Sequence, residues 1–321
     1  ARNNTGIQII AGGVGFTLSE SGTSVGAAIG VNTIVNDTNA SIGADTVIDA
    51  SGSVSVLADT SIDALEIEVP FIGGTDIYVS TLVAGAAIGS GGDAGAGSAA
   101  IDVIVLTTQA SIGEGAAITA GGDVSVRALD DTEIIKFVGA LAGSKEGKGF
   151  GIGLDVVVLT KTTEAWIAAS DDALDPTSVT AAGNVTVEAD SAEDIFSLTL
   201  NIGAGESTAG AGGAVVAVLV TGTRAFVGPD PKKAAVAGNA RISTDGSVHI
   251  AADSRTVIDA SAGSAGISVD DSSFGASVTV VVDVDETSAF VGNGASITAL
   301  GNGSAIDVRD GIFDGNGDQG S

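Results

Sequence analysis

The 321-residue chain has no cysteine and no methionine, and only one histidine, one tryptophan and one tyrosine. Without cysteine, disulfide staples and thiolate metal sites are excluded. A single histidine excludes Cys–His pairs and multi-histidine metal clusters. His249 lies in Ser247-Val248-His249-Ile250, at the outward phase of a strand pattern, and reads as a solvated strand residue rather than a member of a Ser-His-Asp triad. Basic residues are scarce, 12 Lys+Arg against 40 Asp+Glu, for a net charge of −28. That balance excludes the basic footprint that nucleic acid or an anionic membrane surface requires. No run of 18 or more apolar residues occurs, so no helical membrane span is expected. Proline is limited to four residues and aromatics to 3%.

What is abundant is glycine, 48 residues, together with Ala, Val and Ile in a chain that is 44% hydrophobic. β-Branched residues fit a pleated surface and glycine permits tight turns, so the profile points to thin, close-packed β layers and away from both helix and disorder. The acidity has two readings: solubility of a long sheet-rich array, or loading with hard divalent cations such as calcium.

The chain repeats itself. One mark reads NASIG at Ala40, QASIG at Ala110, EAWIA at Ala165, RAFVG at Ala225 and SAFVG at Ala289. A second reads GSVSVLAD at Gly52, GDVSVRAL at Gly122, GNVTVEAD at Gly183, GSVHIAAD at Gly246 and, more weakly, GSAIDVRD at Gly303. From first mark to second the spacing varies over 12, 12, 18, 21 and 14 residues; from second mark to the next first mark it is 58, 43, 42 and 43. The variable arm holds Pro176, Pro229 and Pro231, as a surface loop would. The 58-residue arm carries an extra stretch over 63–82, with Pro70 and Gly73-Gly74, that reads as an inserted hairpin or lobe.

Each constant arm has a Gly-rich reversal at its middle, at Gly89–Gly97, Gly143–Gly149, Gly203–Gly210 and Gly266–Gly275, flanked by period-2 segments. Counted back from the marker alanine, one face carries Val31/Thr33/Val35, Ile101/Val103/Val105, Val156/Val158/Thr160, Val216/Val218/Val220 and Val280/Val282/Val284. The intervening face carries Asn32, Asn36, Asp102, Lys161, Thr221, Asp283 and Asp285, mixed with Ile34, Ile104, Leu159 and Leu219. The valine face is expected to be the core, since a one-residue slip would bury the charges.

Equivalent β-branched residues in every unit are what in-register stacking produces, so the expected fold is all-β, a β-solenoid or β-helix-like array of long strands. An antiparallel hairpin meander folded as a sandwich is the alternative. The units divide as 1–62, 63–133 with the inserted lobe at 63–82, 134–193, 194–256 and 257–309, followed by an acidic Gly-rich tail over 310–321.

Chemistry is sparse. Carboxylate pairs at Asp130/Asp131, Asp171/Asp172, Asp270/Asp271 and Asp283/Asp285 raise a sugar-cleaving β-helix, but they fall at different places in different units and lack aromatic company. Lys145, Lys148, Lys232 and Lys233 read as solvated loop charges. The best single motif is in the tail, where Asp310, Asp314, Asn316 and Asp318 offer oxygen ligands and the Asp-x-Asn-x-Asp spacing suits Ca2+. A plain Gly-Asp turn is the competing reading, since the spacing departs from an EF-hand and no distal Glu follows.

The units GAVVAVLVTGTRAFVG…GSVHIAADSRTVIDASAG and VVVLTKTTEAWIA…AAGNVTVEADSAEDI resemble the repeats of large bacterial secreted adhesins of the filamentous-haemagglutinin-like and leukotoxin-type filamentous families, over about residues 7–309. The resemblance implies an extracellular or cell-surface, fibrous, β-helical stalk and supplies no catalytic residues; the irregular unit length departs from a smooth solenoid. The expectation is therefore a non-enzymatic structural or adhesive segment, filament- or matrix-forming by self-association, with a cell-surface or carbohydrate ligand as a further partner. A calcium-dependent assembly module and a carbohydrate-binding or -cleaving β-helix are the alternatives. The opening ARNNTGIQII lacks a signal-peptide pattern, and the chain reads as a piece of a longer protein.

Overall fold

The computed structural model describes residues 1–69, 75–172, 174–230, 232 and 238–306. They are organised as β-strands with no helix. Three sheets receive the chain in a fixed order. Strands β1 (Arg2–Ile7) and β2 (Ile9–Thr17) lie in a return sheet; β3 (Ser24–Ile42) starts an outbound sheet, β4 (Val47–Ala50) a short sheet, and β5 (Val54–Val69) goes back to the return sheet. After β6 (Thr75–Val79) and β7 (Thr81–Gly89), the next circuit is β8 (Ala94–Ile112), β9 (Ala117–Ala120) and β10 (Val124–Ser144). Then follow β11 (Gly149–Ile167), β12 (Thr177–Ala181) and β13 (Val185–Gly205), and β14 (Ala209–Val227), β15 (Ala240–Thr244) and β16 (Val248–Ser268). β17 (Ser273–Val291) and β18 (Ala295–Ala299) begin another circuit.

Each strand pairs in parallel with its counterpart one circuit away. The marker alanines stack directly: Ala40 on Ala110, then Ala165, Ala225 and Ala289. This arrangement is consistent with the expected solenoid-like array. The hairpin meander is not what forms, because the strands on either side of each Gly-rich reversal enter different sheets instead of pairing with each other. The reversals are corners where the chain crosses from the return to the outbound sheet.

The only antiparallel strand pair among the described residues is β5 with β6, where Leu65–Val69 runs against Val79–Thr75. This falls within the stretch expected as a hairpin or lobe. Ile62 lies opposite Thr132 and Thr81 opposite Lys136, so eighteen residues, 63–80, occupy the place of three, 133–135. That surplus of fifteen is the difference between the 58- and 43-residue arms. Ser80 closes the excursion: its N–H donates to the Ile135 carbonyl at 2.8 Å, and the Ile135 N–H donates to its Oγ at 3.2 Å.

The valine face is not the core. In β11 the buried residues are Gly149, Gly151, Gly153, Asp155, Val157, Leu159, Lys161, Thr163, Ala165 and Ile167, whereas Ile152 is 63% exposed. In β3, Val31 and Val35 are 62% and 71% exposed. The inward phase is the one that carries Asn32, Asp102, Lys161, Thr221, Asp283 and Asp285, so the expected facing is inverted. The reason is volume. The two long sheets converge toward the corner that joins return to outbound strands, and there their backbones leave no room for a side chain. A Cβ placed on Gly26 would lie 1.8 Å from the Ala86 carbonyl oxygen, on Gly149 1.9 Å from that of Ala204, and on Gly203 2.0 Å from that of Gly210. Glycine and alanine therefore take the inward phase at the narrow end, and the Val/Ile residues between them are turned outward.

At the wide end, where the short sheet closes the circuit, Val56, Ile112, Ile118, Val126, Ile167, Val187 and their neighbours form the largest apolar cluster. A second cluster of Ile62, Ile104, Leu106, Ile134, Val157, Leu159, Ile195 and Leu219 lies midway. Small clusters dominated by alanine fill the narrow end.

Glycines at the narrow end are expected to respond according to facing. Gly26→Ala should destabilise the fold by about 1–3 kcal/mol or more through overpacking. Gly97→Ala, whose Cβ would meet open space, should change stability by no more than about 0.5 kcal/mol. Urea unfolding of the two variants checks this; equal midpoints would contradict the taper.

Candidate functional site

Two polar layers cross the interior between the apolar clusters. In one, Lys136 projects from the return sheet and is fully buried. Its ammonium lies 2.7 Å from Asp102 Oδ2 and contacts Asp155 Oδ1. It also donates to the Val156 carbonyl at 3.0 Å. Thr81 donates to Asp102 Oδ2 at 3.3 Å, and Ser197 donates to Asp155 Oδ2. In the other layer Lys161 projects from the outbound sheet, with Asp130 Oδ1 and Glu193 Oε1 each at 2.9 Å. The carbonyls of Asp130 and Ala192 accept from the same ammonium at 3.0 Å. Thr108 donates to Asp130 at 2.6 Å, and Ser191 and Thr256 donate to the two oxygens of Glu193 at 2.5 and 3.0 Å.

The two layers share one design. A lysine of one long sheet reaches two carboxylates of the facing sheet, and those carboxylates come from successive circuits. Asp102 belongs to β8 and Asp155 to β11; Asp130 belongs to β10 and Glu193 to β13. Each cluster thus ties two sheets and two circuits together. Buried charge of this kind is tolerated because every ammonium proton has an acceptor and the carboxylates accept further hydroxyl bonds.

Sequence reading named Asp102 and Lys161 but placed both on the non-core face, and it passed over Lys136 and Glu193. The available signal was a lone lysine inside the apolar run Ile134-Ile135-Lys136-Phe137-Val138. It also passed over a threonine two residues before every marker alanine: Thr38, Thr108, Thr163, Thr223 and Thr287 stack in register, and the first four are buried. The carboxylate pairs separate: Asp130 points inward and Asp131 outward, while Asp171/Asp172 and Asp270/Asp271 sit at turns. Asp283 and Asp285 both take the inward phase of β17, at an open edge. His249 lies at the outward phase of β16, in register with Thr186. The tail residues Asp310, Asp314, Asn316 and Asp318 lie outside the described residues. Among the described residues, no group of three or more His, Cys, Asp or Glu is placed to hold a metal ion.

On the outer face of the outbound sheet, Trp166, Phe226 and Phe290 stack along the array. Their centroids are 6.0 and 5.0 Å apart and their planes within 6° and 2° of parallel. Arg224 lies over Phe226 and Phe290, 5.1 and 5.6 Å from their centroids, and pairs with Asp230 and with Glu164 at 3.1 Å. The Asp230 hydrogen bond holds the guanidinium above its ordinary value. A surface cleft of about 230 Å³ beside this ladder is lined by Glu114, Trp166, Asp171, Phe226, Pro229 and Asp230 among others. Phe226 is covered by rings on both faces, so it offers the cleft its edge rather than a stacking platform for a sugar.

With this geometry as the reference, no family model, no curated protein and no solved structure matches the chain.

Lys161→Met leaves Asp130 and Glu193 buried without a counter-charge and is expected to cost about 3–5 kcal/mol in urea unfolding. Replacing the lysine and both carboxylates together by apolar residues should recover most of that loss; a neutral single variant would contradict the ion cluster. Asp283 has its carboxyl raised above the ordinary value of 3.8 by desolvation, with Asp285 and Glu193 adding to the effect. The folded chain therefore binds this proton more tightly than the unfolded chain, and stability falls as pH rises through the carboxylate range. Asp283→Asn should raise the Tm at pH 7, with the gain vanishing as the pH is lowered below 3.8. Calorimetry of both proteins across pH is the measurement.

Proposed function

We propose that the chain is an extracellular structural or adhesive segment, a length of β-solenoid stalk from a large bacterial surface or secreted protein. One observation carries this reading: equivalent residues stack in register circuit after circuit, and the buried lysines and carboxylates are consumed in joining circuits. A geometry that repeats in this way adds length and surface with each unit. The resemblance of the repeats to filamentous adhesins supports the same role. Its acidic outer surface keeps such an array soluble. Recognition of a cell-surface or carbohydrate ligand, where it occurs, belongs to the segments that differ between circuits: the β5–β6 excursion, the loops around Pro176 and Pro229, and the cleft beside Trp166.

Antibodies raised against the purified chain test this reading. They are expected to label intact producing cells or their shed material and to lose the signal after brief protease treatment of those cells. Labelling confined to permeabilised cells would overturn it.

A further inference from the structure

The outer face of the outbound sheet is uncharged and, two threonines apart, apolar over the half that leads from the narrow end. Alternate residues of Val25–Val35, Gly95–Val105, Phe150–Thr160, Gly210–Val220 and Phe274–Val284 point outward there, thirty positions on five adjacent strands. They hold only Gly, Ala, Val, Ile, Leu and Phe, with threonine at Thr33 and Thr160. Val25 and Ile29 are each 69% exposed and Ile152 63%. A soluble surface of −28 net charge does not leave such a block bare without use.

We propose that this block is a docking surface for a second copy of the chain, outbound sheet against outbound sheet. Three observations select that occupant. The first is size: five strands about 4.8 Å apart and ten residue steps of about 3.3 Å give roughly 800 Å² per partner, the area of a standard stable interface. The second is charge. Beyond its own apolar end the outward phase of the return sheet carries Asp59, Asp131, Glu188, Asp190, Asp194 and Asp253 among other acids against Arg2, Arg127 and Arg255, so its net charge is negative and two return sheets stacked over their length repel. The outbound sheet keeps its few charges, Asp37, Glu164, Arg224 and Glu286, beyond the apolar block. The third separates a second copy from a lipid bilayer. The strands of the block are about 33 Å long, close to a hydrocarbon thickness, and the return sheet is also apolar near the narrow end. Insertion would, however, carry the charged reversals at the narrow end, with the exposed Asp93, Lys145 and Asp270, into or across hydrocarbon, where charges are costly. Docking leaves these reversals in water. The contact is isologous and pairs two arrays side by side, about 10 Å apart. The contact needs only this surface and is independent of the stalk role.

Sedimentation velocity of the full chain at micromolar concentrations is expected to show a dimer. Val158→Lys, at the centre of the block on β11, should weaken that dimer at least 100-fold while leaving the β circular dichroism unchanged; Leu200→Lys, on the outer face of the return sheet, should not. Because the chain has no cysteine, Val158→Cys carries a single spin label whose partner-to-partner distance is read by pulsed electron resonance, an observation that does not depend on the lysine variant folding. A label distance of a few nanometres or less supports the interface. A monomer at tens of micromolar overturns it. So does a dimer lost in Leu200→Lys but kept in Val158→Lys, or flotation of the monomer with neutral phosphatidylcholine vesicles.

Discussion

The gap between the two long sheets narrows from one end of each circuit to the other, and the rest of the structure answers to that taper. At the wide end three sheets meet around Ile112, Ile118, Ile167 and Val187, and an ordinary aliphatic core fits. At the narrow end a carbonyl such as that of Ala86 stands where a Cβ on Gly26 would go. The width available at each level decides which residues point inward. Hydrophobicity decides less than it does in most sheets, because aliphatic residues line both phases of the same strands.

Volume alone would still allow circuits to slide past one another along a ladder of similar small residues. The lysines remove that freedom. Lys136 reaches Asp102 and Asp155 only when β8 and β11 are in the observed register, and Lys161 makes the same demand of β10 and β13. A shift of one residue would turn these charges to the outside and strand their partners. Two residues of shift would bring Leu159 or Thr163 to the place of Lys161. Buried ion clusters often contribute little net stability; here they fix the pairing of strands that are otherwise permissive.

The all-β class, the repeat and its stacking alanines were legible because they recur at matched positions. The facing of the strands was not. Period-2 alternation reports two phases but not which is inside, and the usual rule, that charges lie outside, picks the wrong one when Lys161 is buried against Asp130 and Asp102 against Lys136. Their complementarity was invisible because Asp130 and Lys161 lie in different sheets, 31 residues apart. The threonine ladder from Thr38 to Thr287 was readable in principle: it stands at a constant offset from a mark already found. The tail residues Asp310 to Asp318 lie beyond what the structure describes.

The ladder hydrogen bonds of all three sheets run along the direction in which circuits are added, while the covalent chain runs around it. A pull along that direction is therefore shared across the whole perimeter of a circuit at once, short sheet and long sheets together, and no single bond can be opened without its neighbours. Torque about the same direction meets the ion clusters, which cross from sheet to sheet and from circuit to circuit, as do the Thr108–Thr60 and Ser264–Ser277 hydrogen bonds. The material property of the array is set in this way by two different chemistries: stretching stiffness by the backbone, and resistance to twisting by side-chain links between the sheets, the two lysines foremost.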